Sequence, residues 1–539
     1  MGIGSAMGSA MRRGREKAVV DSPDLQRIVK LKRRKYQDFS AEVTELLKLP
    51  CGTMTLREAQ ARALLEAYEQ RGLLAPIRVG GGKTLITLLL ATILEADKTV
   101  LMVPSALRER TYEEINEMRK HWEIRVPHVL GYETLGHPHH ADDLANFKPD
   151  LIVADECHRL RFRSSAVTRR VERYIRAAPE TVFCGLSGTA QGEKLESYRH
   201  LAMWALGKNS PLPLDIEVVK TWDQALNPDH GSAPTDVGAL AKHFGRDYTN
   251  AALGKWIRDT PGVVSTKAVG CKASIEISRW DAPEVCVDEI RNVMAQDERP
   301  DGTPLTPPES VDVRCQLALG FWYRWDPLPP EHWMNARRDW CRFVREVLED
   351  EDNDTWDSES QVAAAHPREA AHWLAVKPSF KIQTSPVWLD HAVMTEAIRA
   401  TAEHPTIVWS KYRAVGECLG KLMQHYGKNG RSQAGQHIEK DPGTGTISAS
   451  MRSCGVGMNL QQFNRNLLLC PSPNAELLEQ LIGRTHREGQ RADTIRMRWI
   501  RSRAVPYHTE ALRRARDSAA ILEAQNQEPQ KLSAATYLK

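Results

Sequence analysis

Short apolar runs and amphipathic stretches alternate along this chain in two blocks, with a long stretch of different character between them. In the first block, Leu73-Leu74-Ala75-Pro76-Ile77 is apolar over a length too short for a helix, so it reads as a buried strand. Helical spacing follows over 85–91 and precedes it over 61–68. Thr99-Val100-Leu101-Met102-Val103-Pro104 predicts a strand ended by proline, with Ser105 placed to cap a helix that carries Arg108, Glu109 and Arg110. Residues 129–135 read as a strand and turn, and 150–154 as a parallel-type strand. Residues 181–190 read as a strand with a small-residue end. The second block begins near residue 400, with strands predicted at 406–410, 446–450 and 466–470 and a helix at 474–481. From about 207 to 400, proline-rich pieces alternate with helical ones, and after about 500 the chain reads as a charged helical tail. Strands alternating with helices predict an α/β protein with parallel sheets.

Two stretches in the first block carry chemistry. Gly80-Gly81-Gly82-Lys83-Thr84 lies between the strand at 73–77 and the helix at 85–91. Strand, glycine loop and Lys-Thr opening a helix is the phosphate-binding P-loop arrangement. Glycines let backbone N–H groups approach phosphate oxygens, and the helix N-terminus adds partial positive charge. Lys83 would reach the β- and γ-phosphates of ATP, and the Thr84 hydroxyl would ligate Mg²⁺. The longer P-loop pattern asks for glycine at position 77, where this chain has Ile77, so the fit is to the shorter Gly-x-Gly-Lys-Thr form. The second stretch is Asp155-Glu156-Cys157-His158, at the end of an apolar strand. In a P-loop motor the strand-end aspartate holds Mg²⁺ and the next glutamate polarises the attacking water. Gln60, 23 residues ahead of Lys83, is placed to bond an adenine edge. Ser187 and Thr189 could relay the γ-phosphate state to a nucleic-acid surface. In the second block, Gln480-Leu481-Ile482-Gly483-Arg484-Thr485-His486-Arg487-Glu488-Gly489-Gln490 carries two arginines able to neutralise charge on a γ-phosphate.

Composition narrows the picture in three ways. A formal net charge of only +4 over 539 residues makes any nucleic-acid surface a local patch. Ten scattered cysteines with no CxxC pair suggest neither a zinc ribbon nor a disulfide framework, and suit a reducing compartment. No apolar run reaches a membrane-spanning length and the first ten residues lack a signal core, so a cytoplasmic protein with no membrane partner is expected. Other features stay open. The basic segment Lys30-Leu31-Lys32-Arg33-Arg34-Lys35, with Arg12, Arg13, Arg15 and Lys17 before it, is a solvated tail or a phosphate-contacting arm. Phe321-Trp322-Tyr323-Arg324-Trp325, Trp333 and Trp340 form a helical core or a stacking surface for nucleic acid. The acidic run 349–354 reads as a solvated loop, and His137, His139 and His140 as a polar surface loop without further metal ligands.

Taken in order, these motifs resemble helicase superfamily 2. Gln60, residues 80–84, 101–105, 155–158 and 186–190 match the motifs of its first lobe; 407–411, 448–461 and 480–490 match those of its second. Gln-x-x-Gly-Arg-x-x-Arg-x-Gly-Gln is similar to Swi/Snf-type ATPases, and DEAD-box RNA helicases end instead in His-Arg-x-Gly-Arg. Tyr132-Glu133 and Gly455-Val456-Gly457-Met458-Asn459-Leu460-Gln461 also look Swi/Snf-like. Ser187 departs from the family's usual threonine.

The resemblance implies two RecA-like lobes at 50–206 and 401–505, a basic extension at 1–49, a mainly helical insertion at 207–400 and a helical tail at 506–539. It implies a catalytic set of Lys83, Asp155, Glu156, Arg484 and Arg487. Gln60, Gly80, Gly81, Gly82, Lys83, Thr84 and Gln480 would bind ATP, with Thr84 and Asp155 on Mg²⁺. The compact size looks like a bacterial or phage version, acting in the host cytoplasm in the latter case. The reading favoured is an ATP-driven motor on double-stranded DNA, alone or with replication, recombination or restriction proteins. An RNA-directed helicase and a DNA-binding scaffold or restriction motor subunit are the alternatives.

Overall fold

A computed structural model describes residues 22–77, 81–188, 194–226, 240, 250–266, 271–350, 353, 355–425, 431–433, 438, 441–451, 458–526 and 529–538. Gly80, Thr189 and 455–457, named above, lie outside these residues, as do Arg12, Arg13, Arg15 and Lys17. The chain divides into two compact units. The first is Met1–Val269 with Glu351–Ser358 and Ile521–Glu528; the second is Gly270–Asp350, Glu359–Ala520 and Pro529–Lys539.

The first unit is built on five parallel strands: β1 (Leu73–Pro76), β2 (Thr99–Val103), β3 (His128–Gly131), β4 (Leu151–Asp155) and β5 (Val182–Ser187), in the order β1-β5-β4-β2-β3. The apolar runs have a simple cause. Leu74, Val100, Met102, Ile152 and Phe183 pack into one buried cluster, and Leu73, Ala75, Leu101, Val103, Val153 and Cys184 into another. Successive residues of a strand point to opposite faces, so a sheet covered on both sides needs apolar residues at every position. The helix following 105 differs from expectation at its start. Ser105 opens a 3₁₀ turn, Ser105–Leu107, and the helix Arg108–Met118 begins without a side-chain cap. The Ser105 N–H is taken by Glu133 Oε2 at 2.9 Å, which holds the turn against the residue pair Tyr132-Glu133.

Two segments far away in sequence fasten onto this unit. Arg34 is neither solvated nor presented to phosphate. It pairs with Glu66, with side chains only 5% and 8% exposed, and donates to the carbonyls of Arg258, Thr260 and Val263. Arg27 likewise donates to the carbonyls of Lys208, Ser210 and Leu212. On the helix Ala166–Ala177, Arg169 donates to the carbonyls of Asn353 and Trp356, and Arg173 to that of Thr355. Arg170 and Asp357 form an ion pair at 2.6 Å whose side chains are 1% and 0% exposed.

The second unit is built on seven strands, all paired in parallel: β6 (Ser274–Asp281), β9 (Ile407–Ser410), β10 (Arg431–Gln433), β11 (Ile447–Ser450), β12 (Arg465–Leu468), β13 (Thr494–Arg501) and β14 (Thr536–Tyr537). Their order is β10-β11-β9-β12-β13-β6-β14. Two of them lie where the sequence pattern had suggested helix: β6 within 207–400 and β14 within the tail at 506–539; β13 falls in the second lobe, in a stretch where the pattern had marked no strand. β7 (Phe321–Trp325) and β8 (Thr384–Trp388) form a separate antiparallel pair. The aromatic stretch at 321–325 is therefore a strand rather than a helix. Phe321, Trp322, Trp333 and Trp340 are all buried, and the indole N–H groups of Trp340 and Trp373 both donate to Glu359 Oε1. These rings are core. Among the described residues, no helix is long and apolar enough to cross a membrane.

Candidate active site

The carboxyl ends of β1 and β4 bring the first unit's chemistry together. Gly82 sits at φ +80°, a left-handed conformation that glycine adopts without steric cost, just ahead of the helix Lys83–Ile93. A Cβ there would come within 2.1 Å of the Gln60 amide nitrogen. That amide donates to the Gly82 carbonyl at 3.2 Å, and Gln60 Oε1 accepts from the Arg57 N–H at 2.8 Å. Gln60 is 5% exposed. With both ends engaged, it ties the helix Glu58–Gln70 to the glycine loop.

Lys83 Nζ donates to Glu156 Oε1 at 2.7 Å, with the two side chains 11% and 13% exposed. Glu156 has φ +59°, a position that costs a non-glycine residue roughly 1–2 kcal/mol. Such outliers gather where surrounding structure holds a functional group in place. Here the turn aims Glu156 back across the strand ends. Its Oε2 accepts from the Ser187 hydroxyl at 3.3 Å and lies 3.4 Å from His158 Nδ1, and His158 and Ser187 are themselves 2.8 Å apart. Ser187, at the end of β5, is fully buried. Ser187 and His158 thus form a relay on Glu156, linking the ends of β4 and β5.

The two neighbouring carboxyls are driven apart. Burial pushes Asp155 up to about 6, against the pull of the Lys83 charge and with a further push from Glu156. Burial also acts to raise Glu156, but Lys83 and His158 outweigh it and hold that carboxyl well below the usual range. Tyr132 donates its hydroxyl to the Asp155 carbonyl at 2.7 Å, which supports the strand end. Glu133 is also buried enough to be raised. The Ser105 N–H and Arg159 overcome this and set it at about 2. Asp155 and the Thr84 hydroxyl offer hard oxygen donors of the kind Mg²⁺ takes, and the open turn at Gly82 ahead of a helix N-terminus suits phosphate. The residues fit a Mg²⁺–nucleotide. The histidines at 137–140 gather no further ligands: His140 pairs with Asp143 at 2.8 Å, and among the described residues no group of three or more potential metal ligands comes together.

In the second unit the helix Ala475–Thr485 carries Gln480 and Arg484. Arg484 is only 2% exposed, and Arg487 is half-buried. Both donate to the Met458 carbonyl, at 3.2 and 3.3 Å. Gln490 spans from the Phe463 to the Thr485 carbonyl, and Gly489, at φ +88°, packs against the Gln461 side chain. The two arginines thus share one carbonyl, a contact that motif spacing does not reveal.

Residues 57–198 match the family model described as DEAD/DEAH box helicase. The match covers all five strands of the first sheet and every described residue gathered around Lys83. It stops short of the second unit. No curated protein matches the chain. A DEAD/DEAH box helicase domain of superfamily 2 is therefore present at 57–198, and such a domain implies ATP use, usually with Mg²⁺, in acting on nucleic acid.

Proposed function

We propose that the protein is an ATP-driven translocase or helicase that tracks double-stranded DNA without reading its sequence. The observation that carries this reading is the Lys83–Glu156 pair beside Asp155, at the carboxyl ends of β1 and β4. In this reading Lys83 leaves Glu156 for the β- and γ-phosphates, while backbone N–H groups of 80–84 cradle them. Thr84 and Asp155 would hold Mg²⁺, which neutralises phosphate charge when bound. Glu156, released from Lys83 and still positioned by Ser187 and His158, orients and polarises the attacking water. Gln60 contributes to the adenine pocket, Gln480 to nucleotide binding, and Arg484 and Arg487 neutralise charge developing on the γ-phosphate. Arg487, the less buried of the two, is the better placed to leave its carbonyl partner.

Double-stranded DNA as the track is supported by the Swi/Snf-like form of 480–490. A motor that moves along any sequence must grip phosphates rather than base edges, so its binding is salt-sensitive. The setting is proposed as cytoplasmic, with replication, recombination or restriction proteins as the partner classes. The test is ATP hydrolysis by the full chain with duplex DNA, single-stranded DNA or RNA. Duplex DNA should stimulate turnover most, Lys83→Ala should abolish it, and DNA affinity should fall steeply with salt. Stimulation by RNA alone would replace DNA with RNA as the track. Nucleotide binding without turnover would make the chain a scaffold.

A further inference from the structure

Parallel sheets are ordinarily covered on both faces and read as continuous apolar runs. Part of the second unit's sheet does not follow this. On β6 and β13, Ile275, Ile277, Ile495, Met497 and Trp499 are buried, while Glu276, Ser278, Arg496 and Arg498 occupy the alternate positions. The registers set Glu276 beside Arg496 and Ser278 beside Arg498, and set Arg465 of β12 beside Arg496. Three arginines on two adjacent strands thus converge. They line a concavity of about 100 Å³, which Leu467, Ala400 and Leu538 wall on its apolar side.

The charges in this pocket are unequally matched. Arg496 Nε pairs with Glu276 at 3.0 Å. Among the described residues, Arg498 donates only to a neutral acceptor, the Ala400 carbonyl, at 3.3 Å. Arg465 makes no side-chain hydrogen bond or ion pair with a described residue, and Glu403 offers it only a through-space attraction. Burial, then repulsion from Arg496 and Arg498, lowers the pKa of Arg465. An incoming oxyanion would offset that repulsion and give Arg465 and Arg498 the planar, two-pronged partner that guanidinium groups favour.

We propose that this pocket binds a small phosphorylated molecule, whose phosphate is held by Arg465 and Arg498 and whose body lies against the apolar wall. A concavity of about 100 Å³ limits the enclosed part of the ligand to its phosphate and the atoms next to it, with the rest of the body lying over the apolar wall. A concave pocket with an apolar wall suits a compact ligand better than a continuous polymer backbone. All of its lining residues belong to the second unit, and none is Lys83, Asp155, Glu156, Arg484 or Arg487. The proposal therefore does not depend on the ATPase reading.

The test uses the full chain carrying Lys83→Ala, so that phosphate binding at the glycine loop is weakened, and inorganic phosphate as the probe. Calorimetry at pH 8 should show one saturable site. Adding Arg465→Ala or Arg498→Ala should weaken binding by about tenfold or more, as expected for loss of a charge-assisted contact, and Arg465→Lys should restore part of it. Arg465→Gln, closer in volume, serves if the alanine variant does not fold. In the unsubstituted protein, phosphate should slow amide exchange in β12 and β13. No saturable phosphate binding, equal binding by the arginine variants, or unchanged exchange in these strands would each overturn the proposal. So would loss of single-stranded oligothymidylate binding on Arg465→Ala without any phosphate binding, which would make the surface a nucleic-acid contact.

Discussion

Glu156→Gln should separate two roles that one carboxylate holds. Glu156 occupies the lysine that ATP needs, at 2.7 Å. The side chains are 11% and 13% exposed, so the pair is neither a solvated surface bridge nor a fully buried one. Exposed pairs contribute roughly 0–1 kcal/mol, and breaking a buried pair by removing one partner costs roughly 3–5 kcal/mol. An intermediate value of about 1–3 kcal/mol follows for this site. Glutamine keeps the volume but leaves Lys83 without its anion, and bound phosphate would recover that loss. At roughly 1.4 kcal/mol per tenfold, nucleotide affinity should rise by about 5- to 150-fold. Hydrolysis should fall by about 10²-fold or more, because the amide cannot serve as the base for water. Titration with a fluorescent ATP analogue gives the affinity, and single-turnover hydrolysis gives the chemical step. Tighter binding with slow chemistry is the signature. Wild-type turnover with unchanged or weaker nucleotide affinity would refute both the competition and the catalytic assignment.

Three further outcomes are expected. Arg487→Ala should retain nucleotide binding and lose hydrolysis by roughly 10³-fold; normal single-turnover rates with DNA would pass the role to Arg484. Asp155, raised to about 6 from 3.8, is protonated below that pH in the native state, so its contribution to stability declines as pH rises from about 4 to 6. The same proton competes with metal, and the Mg²⁺ affinity of the nucleotide-free protein should drop by up to about tenfold per pH unit below 6; a flat titration between pH 5 and 7 would contradict this. Asp357→Asn leaves the Arg170 charge buried without its counter-charge and should cost about 3–5 kcal/mol, read as a lower melting temperature of the first unit; no change would mean that Arg170 is satisfied by the Leu135 and His137 carbonyls alone.

The first sheet was legible because each strand is buried on both faces and therefore written as an apolar run. β6 and β13 were not, because one of their faces carries Glu276, Ser278, Arg496 and Arg498. A strand such as Thr494–Arg501, which carries Arg496, Arg498 and Arg501, does not read as a strand from its apolar positions until its partners are known. Lys83, Thr84, Asp155 and Glu156 could be found from residue type at a strand end. The ion pair between Lys83 and Glu156, 73 residues apart, could not. Nor could the role of Gln60 as a tie to the Gly82 carbonyl, or that of Arg34, which besides Glu66 holds carbonyls more than 220 residues further along. In each case the partner is a backbone atom or a distant side chain, and local pattern carries no record of it.

The ion pair that fastens 353–358 to the helix Ala166–Ala177 has a consequence for the order in which this protein is made. Arg170 leaves the ribosome 187 residues before Asp357. At roughly 5–20 residues per second, that is a delay of about 10–40 s. Until then the nascent first unit has its five strands but holds an arginine whose counter-charge has not been synthesised. Its last segment, Ile521–Glu528, arrives later still, after nearly all of the second unit has emerged. The two units therefore reach completion almost together, long after the five strands of the first sheet have emerged.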